Sequence, residues 1–272
     1  MASNVLARYR SIYINNEEHN LAKSALLVWG GWLGHSPKEC TELFGPWLES
    51  EGYTVTVSDT LDAYLDLEHL KSLDVIVPIW TQGHLGQQQT TNLLQAVYEG
   101  VGIGGWHGCM GDSFRENVNY QFMVGGQWVA HPGGYIPYRV NISDLKDPIT
   151  QGLNDFDMNT EQYYMHVDPS NQVLATTKFK GDQVISSTTP YVAKWIENCV
   201  MPVAWKRNWG KGRVFYSSLG HKMEDFDIPE VLEIAKRGIL WASRKQYKQV
   251  TTNGHRPRWL WQHQRPVSNK FT

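Results

Sequence analysis

The sequence is poor in cysteine. Its 272 residues include three, Cys40, Cys109 and Cys199, and no C-x-x-C pair. That excludes a disulfide framework and a zinc ribbon, and it sets the expectation of a reducing cytoplasm. No apolar run approaches the ~18–20 residues that a membrane span needs. Met1 to Lys23 has no apolar h-region, so no secretory leader is read there. Close-spaced metal-ligand pairs such as His-x-x-x-His are missing as well. Acidic residues stop before the end of the chain: Ile234 to Thr272 holds nine Lys/Arg and no Asp/Glu, which leaves the rest at a net −11. An acidic body without a reading motif argues against nucleic acid as a partner. The basic end is expected to lie on that body or on another subunit, making a homo-oligomer a possibility. Aromatics are plentiful (12 Trp, 13 Tyr, 8 Phe), which excludes a disordered chain.

What is present alternates. Ser24 to Trp29 is a short apolar run ending in Gly30-Gly31, as for a central parallel strand. Lys38 to Glu51 carries Cys40, Leu43, Phe44, Trp47 and Leu48 at helical spacing, and Gly52 stops it. Tyr53 to Val57 and Asp74 to Trp80 read as strands, although Pro78 is awkward in the second. Gly86 to Glu99 reads as a helix on Leu93, Leu94 and Val97, and Gly100 to Trp106 as a fourth strand before a Gly-rich turn. This order predicts an α/β fold with a mostly parallel sheet covered by helices on both faces. Later strands are expected at Tyr135 to Ser143, Thr160 to Val167, Gln172 to Thr177, Pro190 to Ile196, Met201 to Lys206 and Arg213 to Ser218. A last helix is expected at Pro229 to Ser243, with Leu232, Ala235, Ile239 and Ala242 inward. Residues 1–23 then form an N-terminal extension, 24–243 the α/β domain and 244–272 a basic tail. In that tail Trp259 and Trp261 are expected to dock.

Ligands of open α/β sheets bind beyond the carboxyl ends of the strands. A histidine stands at three such ends: His35 after the first strand, His84 after the third and His107 after the fourth. Around His107, Gly105 and Cys109 are small residues at the spacing of a strained nucleophile elbow, which places His107 at the apex rather than Cys109. Glu161, Tyr163, Tyr164 and His166 follow within six residues. On one continuous strand Glu161 and Tyr163 share a face, and Tyr164 and His166 the other. The run Gly210-Lys-Gly-Arg-Val-Phe-Tyr-Ser-Ser-Leu-Gly-His221 delivers a fourth histidine at a strand end.

Together, Gly-Gly-x-x-x-His, the histidine after the fourth strand, the Glu-x-x-Tyr segment and the Gly210 to His221 run resemble the trehalose-utilisation (ThuA-like) family. The resemblance covers about Ala25 to Ser243. It implies a flavodoxin-like, class I glutamine-amidotransferase-like three-layer sandwich and a role in sugar catabolism. His107 falls where the glutamine-hydrolysing relatives keep a nucleophilic Cys. The residue two after His221 is Met223, where those relatives keep Glu. Glutamine hydrolysis is therefore not expected. The expected substrate is a small carbohydrate, such as a keto-sugar or glycoside attacked beside a carbonyl. His107, Glu161, His221 and His35 are the catalytic candidates; Trp32, His84, Trp106, Tyr164, His166 and Trp205 are the candidates for binding the sugar. A divalent metal, if used, would be held by His35, His107, Glu161 and His221. The competing expectation is a non-catalytic sugar-binding module, which would keep aromatic walls without poised ionisable groups.

Overall fold

The computed structural model describes residues 23–244. The N-terminal extension and the basic tail with Trp259 and Trp261 lie outside the described residues, apart from Lys23 and Arg244 at their borders. The elements run β1 (Lys23–Gly31), α1 (Pro37–Ser50), β2 (Tyr53–Ser58), α2 (Leu67–Ser72), β3 (Val75–Thr81), α3 (Gln87–Glu99), β4 (Gly102–Trp106), α4 (His107–Gly111) and α5 (Val118–Val124). They continue with β5 (Gly126–Ala130), β6 (Tyr135–Ile142), β7 (Phe156–Glu161), β8 (Tyr164–Val167), β9 (Gln172–Lys178), β10 (Val200–Trp209), β11 (Gly212–Ser217) and α6 (Pro229–Ala242).

Nine strands form one sheet in the order β2-β1-β3-β4-β11-β10-β9-β6-β7; β5 and β8 make a separate pair. The ladders are parallel from β2 to β11 and antiparallel from β11 to β7. The expected parallel sheet is thus the first five strands, and four antiparallel ones extend it. Pro78 is tolerated in β3 because the register with β4 pairs only Val75 with Gly102 and Ile76 with Ile103, and ends before the proline.

Strand alternation sorts the core into two layers. Ala25, Leu27, Val75 and Val77 face α1 and α6, meeting Phe44, Leu48, Ile234 and Ile239. Leu26, Val28, Ile76 and Ile103 face the other way, onto Leu93, Ala96 and Val97 of α3 and Met123 of α5. α1 buries Cys40, Phe44 and Leu48 as its periodicity predicts, with Leu43 and Trp47 half-buried at the edge; α6 buries Ala235, Ile239 and Ala242 as predicted, but Val231 and Ile234 in place of the half-buried Leu232.

Two expectations fail. Pro190 to Ile196 is not a strand: Val192 makes an isolated bridge to Val184, and Lys194–Ile196 is a 3-10 turn. Pro190 has no N–H to offer a ladder, and the preceding Ser186 to Thr189 closes on itself as a turn. Thr160 to Val167 is not one strand either. It breaks at Gln162, whose side-chain amide donates to Thr177 Oγ1, so β7 ends in the large sheet and β8 begins in the small one. No helix among the described residues is long and apolar enough to cross a membrane.

Candidate active site

The site grows from strand ends that approach unusually closely. Gly31 ends β1 at φ +75°, and a Cβ there would stand 2.1 Å from the Thr81 carbonyl oxygen at the end of β3. Only glycine permits that approach. It leads into the 3-10 turn that carries His35, whose Nδ1 lies 2.8 Å from Thr81 Oγ1. β4 ends in the elbow that the spacing predicts: His107 adopts φ +42°, rare for a residue with a side chain. The surroundings hold it there. His107 Nδ1–H donates to the Ser218 carbonyl at 2.9 Å, the His107 carbonyl accepts from Tyr216 OH at 3.0 Å, and the ring stacks on Tyr163 at 4.0 Å.

His221 follows β11, and Glu161 closes β7. One carboxylate clamps these two segments: Asp225 Oδ2 accepts from the His221 backbone N–H and from Thr160 Oγ1, both at 2.9 Å. Between these anchors the side chains converge. His107 Nε2 lies 3.0 Å from His221 Nδ1 and 3.2 Å from Glu161 Oε2; His221 Nδ1 lies 3.2 Å from the same oxygen. The His35 ring centroid lies 4.8 Å from those of His107 and His221. Tyr135 OH meets His221 Nε2 at 2.5 Å, and His131 Nε2 lies 3.6 Å from Glu161 Oε1.

Burial sets the charge states. It pushes His35 down to about 2, helped by neighbouring His107 and His221, and it lowers His107 as well. Burial alone would raise Glu161, but the imidazoles of His107 and His221 against it outweigh that and hold it below the usual carboxylate range. The centre therefore holds an ionised carboxylate beside His35 and His107, two histidines that resist protonation. Burial also pushes the Cys109 thiol well up, and its side chain is fully enclosed, so it offers no nucleophile.

The cluster floors a cleft of about 100 Å³. Glu161 and His35 reach its surface, with Trp32, Trp128, Tyr163 and His131 as walls. Arg115 stacks over Trp128 at 4.4 Å while gripping Asp112 through two hydrogen bonds. Trp128 Nε1 and His131 Nδ1 have no hydrogen-bond partner among the described residues. The cleft is smaller than the roughly 300–1,000 Å³ of a drug-sized pocket. A larger cavity of about 340 Å³ beside Tyr138 and Lys178 has no histidine or carboxylate in its lining.

The catalytic candidates His35, His107, Glu161 and His221 are thus brought together, and Trp32, half exposed, stands at the mouth. The other binding candidates are not on the cleft walls. Trp106 and Trp205 are core residues: Trp106 packs on Phe44 and Phe226, and Trp205 on Tyr216, so neither has a face open to a sugar. Tyr164 packs against Phe179. His166 points outward on β8, and exposed His84 pairs with Glu116 at 2.6 Å. Sequence reasoning missed His131, Trp128, Asp112, Arg115 and Asp225, and it chose Tyr164 where Tyr163 lines the site.

The approach of Gly108 to His35 gives a direct test of this geometry. A Cβ at Gly108 would fall 2.2 Å from His35 Cε1 and 3.2 Å from Tyr163 OH. Gly108→Ala is expected to drive His35 out of the cluster. The His35 ring resonances should shift in NMR spectra while the protein stays folded; an unmoved His35 contradicts the packing.

Strand order and a polar centre beyond the parallel strand ends define a flavodoxin-like α/β domain. A family model described as ThuA, trehalose utilisation, matches residues 24–242. The chain belongs to this family, and with it to proteins of carbohydrate metabolism. A ThuA-like protein from Bacteroides uniformis ATCC 8492 has a similar structure: TM-score 0.66, 17% identity, 81% of this chain and 91% of that one covered. A second, from Parabacteroides merdae ATCC 43184, gives 0.60 and 16%, with 83% and 92% covered. A cytoplasmic protein of Salmonella typhimurium LT2 gives 0.56 and 14%, with 82% and 100% covered. At such identities the likeness shows the fold alone. No curated protein matches the sequence.

Proposed function

We propose that this protein is an enzyme of carbohydrate catabolism that removes a proton beside the carbonyl of a keto-sugar or oxidised glycoside, leading to isomerisation or glycoside cleavage. The observation that carries the reading is the convergence of Glu161 and the histidines at the floor of a cleft with aromatic walls. Proton abstraction needs a base and a group that stabilises the developing oxyanion. Glu161 and His131 are the proton-handling pair, since both reach the cleft and Glu161 Oε1 lies 3.6 Å from His131 Nε2. His35, also on the surface of the cleft, is placed to polarise the carbonyl; His107 and His221 sit beneath and fix Glu161. Trp32 stacks on the sugar, and the unpartnered Trp128 Nε1 and His131 Nδ1 meet its hydroxyls. Glutamine hydrolysis is disfavoured because His107 holds the elbow and Cys109 is enclosed. The three unpaired cysteines, and the cytoplasmic description of the Salmonella relative, support a cytoplasmic setting.

The test is a panel of keto-glycosides and unoxidised disaccharides offered to wild type and His131→Gln. The expected result is turnover of an oxidised sugar, reduced roughly 10²–10⁴-fold in the variant. If a sugar binds both proteins equally and none is converted, the chain is a binding module instead.

A further inference from the structure

We propose that His35, His107, His221 and Glu161 form a binding site for a divalent transition-metal ion of the zinc type. One donor atom from each lies within 4.8 Å of the others, and all four residues are buried. Three of these atoms form a triangle with edges of 3.0, 3.2 and 3.2 Å. Metal–nitrogen and metal–oxygen bonds of about 2.0–2.2 Å put adjacent ligand atoms about 2.9–3.5 Å apart. The triangle therefore has the size of one face of a coordination polyhedron.

The proton count points the same way. The Ser218 carbonyl can only accept, so His107 carries its proton on Nδ1 and turns a bare lone pair at Nε2 into the triangle. Ionised Glu161 Oε2 brings a second lone pair to the same place. His221 supplies the third corner through Nδ1, and its Nε2 is bonded to Tyr135 OH, a group that donates or accepts. When Tyr135 accepts from Nε2–H, His221 Nδ1 is also bare. Three lone pairs then face one point, an arrangement that a cation relieves. When Tyr135 donates, His221 Nδ1–H is shared between His107 Nε2 and Glu161 Oε2. A change of His221 tautomer, matched by rotation of the Tyr135 hydroxyl, thus suits the scaffold to either the loaded or the empty state.

Outer contacts complete the design. Metal-binding imidazoles are oriented by a bond to their other nitrogen. Here Ser218 holds His107, Thr81 holds His35 and Tyr135 holds His221, while His131 faces the second oxygen of Glu161. An imidazole-rich donor set favours zinc-like ions over magnesium or calcium, which take oxygen ligands. His35 and Glu161 border the cleft, so an ion between them has its free coordination position on the side where substrate enters. Metal binding is measured without a sugar and does not depend on the sugar reading; in the loaded state His35 is a ligand, and the carbonyl-polarising role given to it above passes to the ion.

The test uses the full chain, stripped with chelator and titrated calorimetrically with Zn²⁺, then with Co²⁺ while the visible ligand-field bands are recorded. One equivalent per chain is expected. His107→Ala and Glu161→Gln should weaken binding at least about tenfold and alter the cobalt bands. Thr81→Val keeps all four ligands and the fold but removes the partner of His35; it should weaken binding roughly 10–100-fold. His69→Ala, exposed on α2, should bind as wild type does. No stoichiometric binding by the folded wild type overturns the proposal. So does binding that Glu161→Gln and Thr81→Val leave unchanged, which would place the ion elsewhere, or Mg²⁺ binding as tightly as Zn²⁺.

Discussion

Glu161→Gln is expected to lower kcat/KM on a carbonyl-bearing sugar by about 10²–10⁴-fold, or about 3–5 kcal/mol of transition-state stabilisation, while the protein stays folded. Gln is nearly isosteric with Glu, and the backbone at this point is held independently by the Thr160–Asp225–His221 clamp. What changes is charge. Wild-type Glu161 places an anion 3.2 Å from both His107 Nε2 and His221 Nδ1, and 3.6 Å from His131 Nε2. An amide in its place offers neither a proton acceptor of comparable strength nor the field that orients these rings. Near-UV circular dichroism reports the fold and steady-state kinetics the loss. A folded Gln variant that turns over within about threefold of wild type would remove Glu161 from the chemistry.

The second large effect is on stability. Trp205→Ala should cost about 3–5 kcal/mol, the range for truncating a large buried aromatic. Trp205 is fully buried, packs on Tyr216 at a centroid distance of 4.5 Å, and donates from Nε1 to the Val124 carbonyl at 2.9 Å. Trp205→Phe keeps most of the volume but strands that carbonyl, for about 1–3 kcal/mol. Urea unfolding should show a lower midpoint with an unchanged slope, and the folded fraction should keep its KM. A rise in KM with stability intact would restore Trp205 to the sugar-binding surface.

Much of the catalytic centre is legible in sequence because strand ends announce themselves. Gly-Gly before His35, small residues around His107 and the Gly-bounded run to His221 mark sharp exits from buried strands, where the fold needs backbone freedom. Alternation sets Tyr163 on the face of Glu161, as the structure has it, but the Glu-x-x-Tyr spacing of the resemblance points to Tyr164, which packs on Phe179 instead. The break of the chain at Gln162, held by a hydrogen bond to Thr177 distant in sequence, carries no local signal. His131 lies between β5 and a Pro-Gly-Gly turn, where no periodicity gives a facing. Tryptophans carry no label either: Trp32 is 49% exposed and Trp205 is 0%, yet both are large and apolar with one N–H. Only the packing of the second, antiparallel half of the sheet separates them.

That second half has a consequence for how the chain acquires its centre. β4 and β7 are five ladder steps apart, which in a flat sheet is about 24 Å; yet His107 and Glu161, at their ends, touch. The sheet must curl, and the register shifts between Pro202 and Trp205 in β10 fall midway along that path. His107 is also 54 residues from Glu161 and 114 from His221 along the chain. Contacts this remote are slow to form, because the loops between them must close first. The parallel half can nucleate around β1, β3 and β4 with no centre at all. The centre is complete only when the antiparallel strands, which bring Glu161, have joined the parallel half.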